Sequence, residues 1–464
     1  MATINNNYVA AIDLGTTKVV TLVAQRTAEG RLEIIGLSTT PSQGIVKGAI
    51  VNLEDTARAI TKTVAEVEAQ TGLKLCSVYV GIAGQNIRVF NTYGSVVVKS
   101  DDGLVHEEHL EQLKREMSMV PVEPGESILH VLPLSYTVNN HSGDRPVGMI
   151  GSRLEGNFHI VVGRTIESKT IEQCLQRCNL QVAGIVLEPL ASGEAVLTDE
   201  EKELGVALVD IGGGTTDLAI YHDRKVRYTA VVPFGGNNIT NDIREGCHQL
   251  LSTTAERLKV EHGTTFPAAI TNEQIITIPG INGREPIEIS NRQLAGIIHA
   301  RMDEILDLIM YKIKEDSGYA DKLGAGIVVT GGGALLQHLP QLINFKSGYD
   351  VRIGHPLAHL APNTRSEYRV PQHSTVLGLV QMALDDQQHG MVLEQAPEAQ
   401  PAEAPMPEPQ AVEVEATVAV KAEPKSQRKG LNWGSKIKNL FGSGMKAISD
   451  GADNFFGNEE EDTM

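Results

Sequence analysis

A short pattern occurs twice in this chain, and it limits the possible fold more than any bulk property does. Ala10-Ala11-Ile12-Asp13-Leu14-Gly15-Thr16-Thr17-Lys18 is echoed, after a long interval, by Leu208-Val209-Asp210-Ile211-Gly212-Gly213-Gly214-Thr215-Thr216-Asp217. Each copy reads as an apolar β-run, an Asp at its end, a Gly/Thr-rich turn and a second apolar run. Glycine lets the turn backbone come close to a ligand, and successive free N–H groups there form an anion-binding concavity. The Asp at the strand end can hold a metal-bound water beside phosphates. Two such clasps facing each other would grip a nucleotide–metal complex from both sides, so the pattern predicts a two-lobed nucleotide binder. A third loop, Thr330-Gly331-Gly332-Gly333-Ala334, follows an apolar run and suits the close approach of an adenine nucleotide to backbone.

Composition narrows the remaining choices. The chain has 464 residues, 41% of them hydrophobic and only 4% aromatic, enough for several domains with ordinary soluble cores. A net charge of -18 argues against nucleic acid as a partner, because binding a phosphate backbone needs a basic face. The four cysteines make no disulfide framework: Cys174 and Cys178 stand at i,i+4, while Cys76 and Cys247 are isolated. They read as small buried hydrophobes in a reducing compartment. No apolar run reaches the ~18 residues needed to span a bilayer, and Met-Ala-Thr-Ile-Asn-Asn-Asn lacks a basic-then-apolar signal pattern. A cytoplasmic location is expected.

The periodicity places the elements. Strands are expected around the first clasp, from Tyr8 to Gln25, and over Leu32–Thr39. A helix should cover Leu53–Thr71, with Ile60, Val64 and Val67 on one face and Gly72 as its stop, followed by a strand over Ser77–Ile82. The same three-strand, helix, strand order recurs after Gly205. Between the two units lie strand patterns at Ile87–Val98, Ile128–Val138 and Phe158–Gly163, with a helix at Glu107–Met117, enough for a small α+β subdomain. Helices are expected at Ser168–Asn179, within Asn238–Val260 and over Asn291–Asp316. Beyond Asp385 the composition turns to Pro, Glu, Ala and Val without periodicity, as in a disordered linker. Flexible chain of that length reaches ~35 Å on average.

The constellation of three loops resembles the actin/DnaK-chaperone/sugar-kinase superfamily, in which two ribonuclease-H-like lobes close on ATP–Mg2+. By that resemblance Asp13–Lys18 (Gly15, Thr16 and Thr17 within it) and Asp210–Asp217 are the phosphate loops, and Gly331, Gly332 and Gly333 form the adenosine loop. Asp13 and Asp210 would lie near the metal, Glu188 would position water for hydrolysis with Asp210 beside it, and Glu256 and Lys259 would face the ribose or base. The plain alternative for the last two is an i,i+3 pair on a solvated helix.

Several stretches are similar to one branch in particular, the FtsA family of bacterial cell-division actin homologues: Val80-Gly81-Ile82-Ala83-Gly84, Pro146-Val147-Gly148-Met149, Glu188-Pro189-Leu190-Ala191-Ser192, Gly205–Asp210 and Pro233–Ile243. The resemblance covers roughly residues 8–385 and includes the insertion, which sits where that family carries its own subdomain. It implies an α/β fold of two actin-like lobes, the first split over 1–84 and 167–203 by a subdomain at 85–166, the second at 204–385. It also implies self-association, binding to FtsZ, recruitment of later division proteins, ATP turnover that is slow at most, and a peripheral position on the cytoplasmic side of the cell membrane at the septum. The alternatives are an actin-fold ATPase or kinase, or a pilus-assembly homologue similar to PilM. A chaperone of this fold would follow the second lobe with a β-rich substrate domain, where this sequence has the linker.

After the linker (386–429), residues 430–449 place Trp433, Ile437, Leu440, Phe441, Met445 and Ile448 on one helical arc, flanked by Lys436, Lys438 and Lys446. An apolar stripe with basic flanks suits a helix lying in the interface of membrane lipids, the other reading being a helix that docks in a protein groove. An acidic extension, 450–464, carries Phe455-Phe456 and departs from the family's usual ending. His106-Glu107-Glu108-His109 has i,i+3 histidines, whereas the zinc-protease arrangement needs i,i+4, so a solvated helix start is expected there.

Overall fold

The computed structural model of the chain describes residues 8–84, 86–280 and 285–388. The helix that ends the described chain runs on to Gln388, so residues 386–388 of the expected linker are helical; the rest of that linker, the expected helix around Trp433 and the acidic tail lie outside these residues. The chain begins with β1 (Tyr8–Leu14), β2 (Lys18–Arg26), β3 (Leu32–Pro41), a small hairpin of β4 (Ile45–Val46) and β5 (Ala49–Ile50), α1 (Leu53–Thr71) and β6 (Ser77–Ile82). Next come β7 (Arg88–Val97), α2 (Glu107–Met117), β8 (Glu126–Val138), β9 (His141–Gly143) and β10 (Arg153–Arg164). The path continues through α3 (Thr165–Arg177), β11 (Gln181–Leu187), α4 (Glu188–Val196) and α5 (Asp199–Leu204). The second half holds β12 (Val206–Ile211), β13 (Thr216–His222), β14 (Lys225–Val232), α6 (Gly236–Gly246), α7 (Ser252–His262), β15 (Ile275–Ile278), β16 (Ile287–Ser290) and α8 (Asn291–Tyr311). It ends with β17 (Ile327–Thr330), α9 (Leu339–Ser347), β18 (Val351–Ile353) and α10 (Ser374–Gln388).

The repeat in sequence becomes a repeat in topology. One sheet runs β3-β2-β1-β6-β11 and the other β14-β13-β12-β17-β18. In each, three antiparallel strands are followed by two parallel ones reached by helical crossovers. Strands covered on both faces need apolar residues at nearly every position, and β1, β2, β12 and β13 are buried almost throughout. Alternate residues serve different cores. Ile12, Val19 and Val23 meet Ile60 and Val64 of α1, whereas Ala11, Val20 and Leu22 share a core with Leu208, Ala219 and residues of α4 and α10.

Caps set the helix ends. Asn52 accepts the N–H groups of Glu54 and Asp55 at the start of α1, and Gly72 closes it in the left-handed conformation. Three expectations are adjusted. The Ser168–Asn179 helix begins earlier, at Thr165; the Asn238–Val260 region is two helices; and β15–β16 form an unanticipated hairpin. The helix start expected at His106–His109 is exposed at His106, Glu107 and Glu108, while His109 is buried with its Nδ1 accepting the His106 N–H. Cys174 and Cys247 are buried as expected, but Cys76 is exposed. Among the described residues no helix is long and apolar enough to cross a membrane.

Between the sheets α4 and α10 pack against each other with almost no space between them. A Cβ on Gly378 would sit 1.7 Å from the Ala191 carbonyl oxygen, a contact with backbone that cannot rotate away. Gly378→Leu should therefore prise these helices apart and lower the thermal midpoint by several degrees, since overpacking typically costs ~1–3 kcal/mol or more. Scanning calorimetry would read the change, and an unaltered midpoint would contradict the close crossing. Strands β7, β10, β8 and β9 form a separate antiparallel sheet with α2 packed on it through Leu113 and Met117.

Candidate functional site

The two clasps meet at a cleft of ≈ 530 Å³. Asp13, next to last in β1, stands opposite Val20, and Asp210 near the end of β12 stands directly opposite Asp217 of β13. The turns between these strands touch across the cleft. A Cβ on Gly213 would lie 2.4 Å from the Thr17 methyl, and one on Gly214 would lie 2.5 Å from Thr16 Oγ1. The third loop enters from β17, which runs parallel to β12 with Thr330 beside Asp210. Gly331 has φ +82°, and a Cβ there would lie 2.3 Å from Asp210 Oδ1. Carbonyls of Gly212 and Gly213 accept the N–H groups of Gly236 and Asn237, fixing the Gly-rich turn against the start of α6.

Every member of the cleft set expected from sequence lines this cavity except Thr216. Side chains alternate across a strand, so Thr215 and Asp217 face the cleft while the Thr216 hydroxyl turns the other way and donates to the Phe234 carbonyl. Thr216 is thus the one residue of the expected set whose side chain is directed away from the cavity. Glu256 and Lys259 are not a free solvated pair. Lys259 Nζ donates to Glu256 at 2.8 Å, to the Gly236 carbonyl at 3.0 Å and to Thr240 at 2.9 Å, with its side chain largely buried.

Several groups that hold the cleft residues in place were not singled out from sequence. Ser192 Oγ donates to Asp210 Oδ2 at 2.6 Å, and the Thr375 hydroxyl lies 3.1 Å from Ser192. These residues sit on α4 and α10, so the helices between the sheets also hold Asp210. Lys18 Nζ donates to the Gln372 carbonyl at 2.7 Å. No local motif marks these partners, because each comes from an element remote in sequence.

Four carboxyl groups converge here with little solvent. Asp13, Asp210 and Asp217 are buried. Burial pushes Asp13 up to about 6 despite nearby Lys18, and it pushes Asp217 up to about 8, reinforced by Asp210. Asp210 is raised by burial and partly restrained by Ser192 and Thr375. Glu188 is raised well above the ordinary range by burial and by Asp13, Asp217 and Asp210. Lys18 is lowered because burial outweighs its attraction to Asp13 and Asp210. The site therefore carries more negative charge than it can solvate, and Asp217 Oδ1 is buried with no partner. That suits a cation. Among the described residues no three His, Cys, Asp or Glu side chains are placed to hold a bare ion.

The pH dependence follows. A carboxyl raised in the folded protein keeps a proton that the unfolded chain has lost, so its stabilisation is complete below the unfolded pKa of ~3.9 and fades as pH rises through the folded value. For Asp217 the loss runs up to about pH 8. The ligand-free protein should lose up to ~1.4 kcal/mol per pH unit for each such group titrating in that window. Asp217→Asn should flatten the fall in thermal midpoint between pH 6 and 8 and be more stable than the parent at pH 8. Equal slopes for the two proteins would exclude Asp217 as the source.

Comparison with known proteins agrees with this architecture. A chain of the PilM-PilN type IV pilus biogenesis complex superposes with TM-score 0.58 at 15% identity, covering 81% of this chain and 98% of that one. MreB5 of Spiroplasma citri bound to ADP gives 0.52 at 14% identity, covering 83% and 99%. Both likenesses speak for an actin-like fold. The family model described as cell division protein FtsA matches residues 207–378, and that of the SHS2 domain inserted in FtsA matches 84–162. The cell division protein FtsA of Pseudomonas aeruginosa is 37% identical over 388 residues, which is 83% of this chain and 92% of the relative. The Escherichia coli K12 protein of that name is 31% identical over 393 residues, with coverage of 83% and 92%. With two such sheets clasping one cleft and identity of this extent along nearly the whole of its relatives, the chain belongs to the FtsA family of cell-division proteins.

Proposed function

We propose that this chain binds ATP with Mg2+ in the cleft, associates with further copies of itself and tethers the FtsZ ring to the cytoplasmic face of the membrane at the septum, where it helps recruit later division proteins. The observation that carries the nucleotide part is the meeting of two Gly/Thr turns over buried, under-neutralised carboxylates. In this reading the backbone N–H groups of Gly15–Thr17 and Gly213–Thr215, with Lys18, hold the phosphates. Asp13 and Asp210 hold water on the metal, Glu256 and Lys259 face the ribose, and Gly331–Gly333 pass beside the adenosine. Mg2+ bound there supplies charge neutralisation on the phosphate oxygens. Glu188 holds a water by accepting its proton, a task its carboxylate can perform once a cation draws its pKa down.

The remaining parts are divided along the chain. The lobes (1–84 with 167–203, and 204–385) carry the nucleotide, 85–166 contributes to contacts with other subunits or later division proteins, and 430–449 holds lipid across the 386–429 linker. Six apolar side chains that would each yield at most ~1.5–3 kcal/mol on full burial suffice for reversible attachment, and each basic residue near anionic lipid adds ~1 kcal/mol. Two measurements on the full chain test the proposal. A fluorescent ATP analogue should bind only with Mg2+ present. Anionic vesicles should sediment the intact protein but neither a chain ending at Gln427 nor the Trp433→Glu variant. Equal sedimentation of all three would remove the tether, and rapid phosphorylation of a small molecule would favour the kinase alternative.

A further inference from the structure

Strand β8 of the separate sheet touches both sides of the cleft architecture at once. Its pairing with β10 slips in two places, leaving Leu129 and Leu134 as extra residues with no partner opposite. Bulges of this kind bend a strand and re-aim its groups, and Pro133 between them has no N–H to give to a ladder. The stretch bounded by the bulges makes two sets of contacts. His130 Nε2 accepts the Leu187 N–H at 2.9 Å. Leu187 is the last residue of β11, the edge of the first sheet, and the next residue is Glu188. At the other bulge the Leu134 carbonyl accepts Lys225 Nζ at 3.0 Å and Arg227 Nη1 at 3.4 Å. Both cations belong to β14, the edge of the second sheet, and Lys225 also pairs with Asp144 beyond β9.

Apolar packing joins the same three parts. Leu129, Leu132 and Val161 of the separate sheet cluster with Leu187 and Leu190 of the first half and Val226 of the second. Burial holds the His130 imidazole at about 4, so its ring stays neutral and keeps a lone pair for the Leu187 N–H. A change in the angle between the two large sheets alters the distance from β11 to β14. A strand bonded to both edges must then follow one of them or break with the other. Either outcome puts the separate sheet into the free energy of closing the cleft, and such coupling is reciprocal.

We propose that the bulged stretch Leu129–Leu134 is a transmission element that links occupancy of the cleft by Mg2+–nucleotide to the position of the inserted sheet, so that a ligand of that sheet and the nucleotide alter each other's affinity. The inference rests on the nucleotide reading above. Hydrogen exchange of the full chain with and without Mg2+ and a non-hydrolysable ATP analogue tests it. Peptides spanning 126–138 and 153–164 should exchange at least threefold more slowly with ligand, together with the cleft turns at 13–18 and 212–217. In the Lys225→Ala/Arg227→Ala chain the cleft response should persist while the response of the inserted sheet disappears, and Lys225→Arg should retain it. Protected cleft turns with an unchanged inserted sheet would overturn the link, as would a double variant that responds like its parent. No protection anywhere at saturating ligand would instead refute the nucleotide reading, and the link with it.

Discussion

Gly331→Ala should lower affinity for Mg2+–ATP at least 100-fold, equivalent to ~2.7 kcal/mol. Two penalties combine at this position. Its backbone has φ +82° and ψ 179°, a region that is essentially reserved for glycine and costs other residues ~1–3 kcal/mol. The added methyl would lie 2.3 Å from Asp210 Oδ1 and 2.6 Å from the Ile211 carbonyl oxygen, so relief requires moving a carboxylate that Ser192 also holds. The neighbouring change provides the control. A Cβ on Gly332 meets nothing closer than Gln372 Cγ at 3.8 Å, so Gly332→Ala should bind nucleotide within about threefold of the parent, a difference under ~0.7 kcal/mol. Titration with a fluorescent nucleotide compares the pair. Similar affinities for the two variants would show that the third loop does not approach the ligand.

Glu188→Gln should reduce ATP turnover by ~100-fold or more, the usual scale for loss of a positioned general base, while leaving nucleotide affinity unchanged or improved. The amide keeps the shape and removes the charge that Asp13, Asp217 and Asp210 oppose. Its effect on stability depends on pH. Below the raised pKa the parent carboxyl is already neutral, so the two proteins should melt together at pH 5. As the pH rises the parent must either hold a proton against solution or carry a disfavoured charge, and the variant should then be the more stable. Phosphate-release kinetics and melting curves at the two ends of this range check both halves. Turnover within twofold of the parent would remove Glu188 from the role of holding water.

Much of the fold was legible because its determinants are local. Asp-x-Gly-Thr and Gly-Gly-Gly-Thr turns need particular residues at fixed spacing, and strands buried on both faces need unbroken apolar runs, so the two halves could be read from β1–β2 and β12–β13 alone. Glu107–Met117 and Leu53–Thr71 were equally clear, the second also from Gly72 as its stop. The outward turn of Thr216 was not legible because a motif treats neighbours alike, whereas a strand sends them to opposite faces. Ser192, Thr375, His130 and Lys225 were invisible as site or linking residues, since their partners lie far away in sequence and no short pattern records a tertiary hydrogen bond.

By itself the sequence determined the duplicated clasp, the Gly-rich third loop and the strands and helices that flank them, all consequences of backbone sterics and burial period. Only the tertiary structure decided how the clasps meet: Thr16 and Thr17 against Gly214 and Gly213, Asp210 held by α4 and α10, and Glu188 set among three aspartates. Those contacts arise when remote segments exclude water together. Removal of water is also what raises the carboxyl pKa values in the cleft.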